Sequence, residues 1–259
     1  MSRQQSLRIK IVFPGSLSDS QIQRMCDLYV PHHNISVEQC EHRIREGFDK
    51  LILYISEQGE IVGFNGIRIR VHKVKGFLRP LKAVYLGQLY IDGTYRGQHP
   101  LHSAMLKLMV PDKLFRPWYK PVIWADSITY KPYLLVARCT REFYPGPDAP
   151  TPPAFQNLIQ HLGKTYYPDT FDSATGTVIK PANLIRDHVA PIKQAHMRKP
   201  YIRYYAEANP GYEQGNGLIM TFPFSWQNTI YITKQLLRFR FRRRLSRTPL
   251  SRRLRHILA

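Results

Sequence analysis

Apolar and polar positions alternate from Leu7 to Phe13, with Leu7, Ile9 and Ile11 on one face, and this period of two predicts a first strand. Ser18-Asp-Ser-Gln21 has the form of a capped helix start, and Ile22, Met25, Cys26 and Tyr29 follow at helical spacing. A second helix fits residues 37–48. Residues 50–56 and 61–71 read as strands joined by a hairpin-like Glu57-Gln-Gly-Glu60. Near the end of the second strand Ile67, Ile69 and Val71 share one face, and Arg68 and Arg70 the other. A longer apolar run, 83–91, stops at Asp92-Gly93, and a helical pattern runs from Leu101 to Val110. A short strand at 122–125 and a helix at 132–143 complete this half of the chain.

Residues 144–153 contain five prolines and predict a stiff, extended connector. Beyond it the pattern gives a helix at 154–162, a strand at 176–179, a helix at 192–207 and, after the turn Asn209-Pro-Gly-Tyr212, a strand at 217–224. In the last segment Ile232 and Leu236 fall opposite Leu237 and Phe241 on a helical wheel, so no single apolar face is expected there.

The passage from 83–91 into the helix at Leu101 carries the candidate chemistry. A strand that turns through Arg96-Gly97 into a helix leaves backbone N–H groups at the helix start. With the helix dipole and a guanidinium they form an anion site suited to a diphosphate. Leu89-x-Ile91-x-x-x-Tyr95-Arg96-Gly97-Gln98 resembles the central motif of the GNAT superfamily of acyl-CoA-dependent N-acyltransferases. The order of elements over residues 5–144 resembles its core as well. The chain departs from the pattern at His99-Pro100-Leu101, where the family generally has Gly-x-Gly. The resemblance implies an α/β (α+β) fold: a mixed, mostly antiparallel sheet flanked by helices, here with long C-terminal insertions. The expected organisation is one enlarged domain over 5–228, with its core at 5–144, the connector at 145–153 and the remaining strands and insertions at 154–228. A basic helix or tail at 229–259 follows.

The resemblance also implies roles. Leu89, Tyr90 and Ile91 would pair their backbone with the pantetheine arm of the donor and polarise its thioester. Arg96, Gly97, Gln98, His99 and the helix start at Leu101 and His102 would receive the diphosphate. Pro100 suits a first helical turn but removes one N–H. A weaker diphosphate site leaves two donors open, acetyl- or longer acyl-CoA, and an acyl group on an acidic carrier protein. Asp126, at the end of the strand 122–125, is the candidate proton acceptor, although Asp126-Ser-Ile-Thr129 equally suits a turn or cap. The family's usual tyrosine acid falls on Val136 or Ala137, so it does not carry over. Tyr133 and Tyr144 are the candidate substitutes, each also suited to packing at a helix edge.

Composition adds a large positive charge. The net charge is +20, and residues 234–259 hold ten Lys and Arg and no acid. Such a chain attracts anionic partners, so the tail reads either as a solvated extension or as a docking element for nucleic acid or an acidic membrane surface. The alternative to an acyltransferase acting on a small-molecule or peptide amine is therefore a nucleic-acid-binding or catalytically degenerate GNAT-fold protein. Cys26, Cys40 and Cys139 have no zinc spacing, and His32, His33 and His102 have no further ligands at useful spacing, so no metal is expected. With no apolar run near the ~20 residues of a bilayer span and no apolar leader at Met1–Gln5, the expected location is cytoplasmic, with peripheral membrane contact.

Overall fold

The computed structural model describes residues 7–95, 100–180 and 190–247. Strands β1 (Arg8–Val12), β2 (Lys50–Ile55), β3 (Ile61–His72), β4 (Leu81–Ile91), β5 (Lys120–Ser127), β6 (Phe171–Asp172), β7 (Thr177–Val178) and β8 (Gly217–Pro223) form one sheet in the order β1-β2-β3-β4-β5-β8-β7-β6. Every pairing is antiparallel except β4 with β5.

Helices cover both faces. α1 (Asp19–Tyr29) and α2 (Val37–Glu46) each begin with a serine cap, Ser18 and Ser36, whose reciprocal glutamines are Gln21 and Gln39. They pack Ile22, Met25, Cys40 and Ile44 on Leu51, Leu53 and Phe64. On the same face α5 (Pro153–Tyr166) lays Phe155, Leu158 and Leu162 over Leu81, Ala83, Val122 and Trp124. The opposite face holds the largest core. There α3 (Pro100–Phe115), α4 (Tyr130–Cys139), α6 (Pro200–Ala208) and α7 (Trp226–Arg247) bury Met105, Tyr133, Tyr205 and Ile232 against Ile67, Val84, Ile123 and Met220. The face bearing α1, α2 and α5 thus has two separate cores, with the end of β4 between them.

Several boundaries differ from the sequence pattern for identifiable reasons. The helix expected at 132–143 stops at Cys139, because the N–H groups of Arg141 and Glu142 both donate to Asn228 Oδ1, at 2.8 and 3.0 Å. The helix expected at 192–207 is divided: Gln194–Arg198 is a short 3-10 turn and α6 starts afresh at Pro200, whose ring and missing N–H prevent a continuous helix. β6 carries no pattern of its own, being two residues long. The basic C-terminal segment does not begin as a solvated tail. α7 starts at Trp226 and buries Asn228, Thr229, Ile232 and Leu236.

Asn228 is the pin of this region. Besides the two N–H groups it accepts, its Nδ2 donates to the carbonyls of Glu142 and Pro223, both at 2.8 Å. Asn228→Ala leaves four backbone groups without this partner. It is expected to cost about 2–4 kcal/mol in urea denaturation, at the upper end of what buried unsatisfied groups cost.

Candidate functional site

β4 and β5 run side by side from Leu81↔Lys120 to Tyr85↔Trp124, where their pairing ends. β4 continues to Ile91 and β5 to Ser127, the latter still paired with β8. Opposite β3 the register jumps from Gly66↔Gly87 to Phe64↔Tyr90, a bulge in β4. Within that bulge Gln88 has φ of 48°, the left-handed region that glycine normally occupies. Both polar atoms of its side chain are buried, with no hydrogen-bond partner among the described residues. The Gly87 carbonyl is held by Asn65 Nδ2 at 2.7 Å, and a Cβ on Gly66 would lie 2.4 Å from the tip of the Phe48 ring, which would have to move to admit it.

Asp126 lies two residues past the last position at which β5 pairs with β4, on the α5 face of the sheet. Tyr85 donates its hydroxyl to Oδ1 at 2.6 Å, Lys180 donates to Oδ2 at 2.5 Å, and Tyr167 also hydrogen-bonds to it. Burial by itself pushes this carboxyl up. The Lys180 charge and the three hydrogen bonds outweigh burial and hold it below the ordinary carboxylate value. Burial, reinforced by the Asp126 charge, raises the hydroxyls of Tyr85 and Tyr167, which stay protonated through the neutral range.

Cations and rings complete the wall. The Arg68 guanidinium is 5.0 Å from the ring centres of both Tyr85 and Tyr166, and Lys180 Nζ is 4.6 Å from that of Tyr167. Trp124 packs between Tyr85 and Tyr166. His72 meets the Tyr166 hydroxyl at 3.0 Å and His161 at 3.0 Å.

The residues singled out in the sequence are distributed unevenly about this place. Leu89 and Ile91 lie on β4 beyond the bulge and pack on the larger core. Tyr90 stacks on His32, and its hydroxyl lies 2.9 Å from His32 Nε2. Leu101 and His102 are buried in the first turn of α3, so only their backbone could serve a ligand. Arg96, Gly97, Gln98 and His99 lie outside the described residues. Tyr133 is not brought to Asp126: it is buried in the opposite core and donates to the Pro145 carbonyl at 3.1 Å. Tyr144 is also elsewhere, bridging to Thr221 on the edge of β8 away from β5, with its hydroxyl on Glu142. Cys139 is a buried thiol that burial pushes up to about 12.

Tyr85, Tyr167, Lys180 and Gln88 are the members that sequence reasoning missed. Glycine within a strand, Gly87, was the available sign of the bulge. Tyr85 shares its face with Asp126 only through the β4–β5 register, and Tyr167 and Lys180 reach it from beyond the proline-rich connector, where no local pattern marks them.

One parallel pair within an otherwise antiparallel sheet, flanked by helices on both faces, is the mixed, mostly antiparallel α/β fold that the resemblance implied. Neither a family model nor a curated protein matches the sequence. Among solved structures it is similar to the GNAT family N-acetyltransferase YhbS of Escherichia coli in complex with CoA, at 15% identity and TM-score 0.35, covering 51% of this chain and 66% of that one. It is also similar to the ribosomal-protein-alanine N-acetyltransferase of Brucella melitensis biovar Abortus 2308, at 17% identity and TM-score 0.37, covering 51% and 89%. A probable N-acyltransferase of Enterococcus faecalis V583 is matched at 13% identity and TM-score 0.37, covering 52% of this chain and 33% of that one. The chain thus spans about a third of the Enterococcus protein. Strand order and register, rather than these likenesses, carry the assignment of the fold.

Proposed function

We propose that this protein transfers an acyl group from a thioester, carried on CoA or on an acyl carrier protein, to an amine. The observation that carries the reading is the end of β4–β5 pairing at Tyr85↔Trp124, where a strained, buried Gln88 amide with no partner among the described residues stands on one strand and the Asp126 cluster on the other. A buried polar group without a partner is costly and points to a ligand that supplies one. The thioester arm would lie along β4 at Leu89–Ile91, whose backbone amides would polarise its carbonyl. Attack by the amine forms the C–N bond and breaks the C–S bond; the amine gives up a proton and the thiolate gains one.

Asp126 is proposed to act on the acceptor side. A carboxylate held ionised attracts an ammonium and takes its proton only as far as Lys180 yields. Tyr85 and Tyr167, protonated and hydrogen-bonded to Asp126, are better placed than Tyr133 or Tyr144 to return a proton to the thiolate. Acceptor amines, small or peptidic, would approach along Tyr85 and Tyr166, which pack on the buried Trp124.

Calorimetry with acetyl-CoA, decanoyl-CoA and decanoyl-acyl carrier protein is expected to show saturable binding of at least one donor, and Gln88→Ala to weaken it about tenfold, as loss of one well-placed hydrogen bond to a ligand would. Absence of binding by all three donors, with no amide product from a panel of amines, overturns the proposal.

A further inference from the structure

The end of the sheet opposite the Asp126 cluster has a different chemistry. The loop joining β3 to β4 meets the start of β5 there. Arg79 donates to the Pro117 carbonyl at 2.6 Å, and the Lys120 N–H donates to that of Pro80 at 2.9 Å. The end of α3 joins the same place, with Lys113 donating to the Phe224 carbonyl at 2.7 Å and lying 4.2 Å from the centre of the Trp226 ring at the start of α7. These contacts join three segments, 73–80, 112–120 and 224–241, the last through its first turn, at one end of the molecule.

That end exposes large apolar side chains. Leu78 is fully exposed, Phe115 is 75% exposed, and Trp118, Trp226 and Ile230 are each more than half exposed. The stripe continues along α7 to Leu237 and Phe241, which stand four, eleven and fifteen residues from Trp226 together with Ile230 and therefore share one helical face. This is the second apolar face of α7; the first, Ile232 and Leu236, is buried in the core. Isolated exposed apolar residues need no explanation, but a clustered group rimmed by charge marks an interaction surface.

The rim is cationic. The three segments contain nine Lys and Arg and a single acid, Asp112. That acid is already ion-paired with Lys82 and Arg116. Lys73, Lys75, Arg79, Lys120 and Arg238 are exposed. Tryptophan and phenylalanine suit the boundary between headgroups and acyl chains, and Lys and Arg suit anionic headgroups. A nucleic acid would meet the cations but would leave Leu78, Ile230 and Leu237 against phosphate or water. No helix among the described residues is long and apolar enough to cross a membrane, so the contact is one of lying on a surface.

We infer that the end formed by Leu78, Phe115, Trp118, Trp226 and Ile230 docks this protein on an anionic lipid bilayer, the apolar side chains entering the interface and the surrounding Lys and Arg meeting acidic headgroups. The inference stands on surface chemistry alone and does not depend on acyl transfer. It is tested with the full-length chain and vesicles of phosphatidylcholine, with or without 30% phosphatidylserine, a fraction chosen on the order of that in strongly anionic membranes. The expected result is co-sedimentation with the phosphatidylserine vesicles, at least about tenfold weaker on pure phosphatidylcholine, and weakened by salt. Brominated acyl chains should quench the fluorescence of Trp118 and Trp226 but not of Trp124, which is buried. The triple variant Phe115→Ser, Trp118→Ser, Ile230→Ser changes only exposed side chains and should lose at least about tenfold in vesicle binding. If it fails to fold, quenching of the unaltered protein decides. Absence of vesicle binding, binding without quenching, or tight binding to single-stranded RNA that the triple variant retains while no vesicle binds overturns the inference, the last in favour of a nucleic-acid surface.

Discussion

Replacing Asp126 with asparagine is expected to lower acyl transfer at least 100-fold and to cost about 3–5 kcal/mol of stability. Both effects come from the same geometry. Lys180 and Asp126 are a buried pair, their side chains 11% and 9% exposed, so removing the carboxylate's charge leaves an uncompensated ammonium in the protein interior. The breakage of such a pair costs far more than its net contribution, because each ion has already lost its hydration. Urea denaturation checks the stability, and product formation with a saturating donor checks the chemistry. The two roles separate in the double variant Asp126→Leu, Lys180→Met, which removes both charges and keeps the volume. Its stability should recover only in part, because no buried charge is left unpaired but the Tyr85 and Tyr167 hydroxyls lose their acceptor. Transfer should remain lost. Recovery of transfer in the double variant would assign Asp126 a purely structural role.

The same carboxylate gives a pH dependence of definite sign. Its folded-state pKa is lowered, so the pair's contribution is fully present above the ordinary carboxylate value of about 4 and is lost as pH falls through the lower folded value. The Asp126→Asn variant should therefore show a shallower loss of stability in acid than the native chain.

Gln88→Gly is expected to change stability in the opposite direction. Glycine accepts a φ of 48° without strain, and its introduction also removes a buried amide with no partner among the described residues. Left-handed strain costs about 1–2 kcal/mol and an unsatisfied amide a similar amount. The greater freedom of glycine in the unfolded chain takes back about 1 kcal/mol. A net gain of about 1–3 kcal/mol in urea denaturation, accompanied by weaker donor binding in calorimetry, is the expected pair of results. A residue whose removal stabilises the fold while impairing binding is retained for its ligand. Loss of stability, or donor binding unchanged, would remove Gln88 from the proposed site.

The alternation of Ile67, Ile69 and Val71, the capped start at Ser18, and the apolar run ending at Asp92-Gly93 were legible because strand period, capping and turn chemistry are local properties. The short motif through Tyr95 gave the fold because it lies within an order of elements that few topologies share. Tyr133 and Tyr144 were plausible acids from proximity along the chain. Each instead spends its hydroxyl on a neighbour, Tyr133 on the Pro145 carbonyl in the opposite core and Tyr144 on Glu142. The basic terminal segment read as polar from its composition, yet its first turns are core, because Ile232 and Leu236 find the sheet and Asn228 finds the backbone of the Glu142 loop.

By itself the sequence determined most of the order of strands and helices, the buried stripe of the first helix, and the strongly cationic character of the last segment; all three follow from interactions spanning a few residues. Only the tertiary structure decided which hydroxyls and which ammonium meet Asp126, where β4 and β5 stop pairing, and which face of α7 remains exposed. Those outcomes depend on strand register and on contacts between residues 41 and 54 positions apart, Tyr85 and Lys180 with Asp126, and the free energy of such contacts is not written in any local pattern.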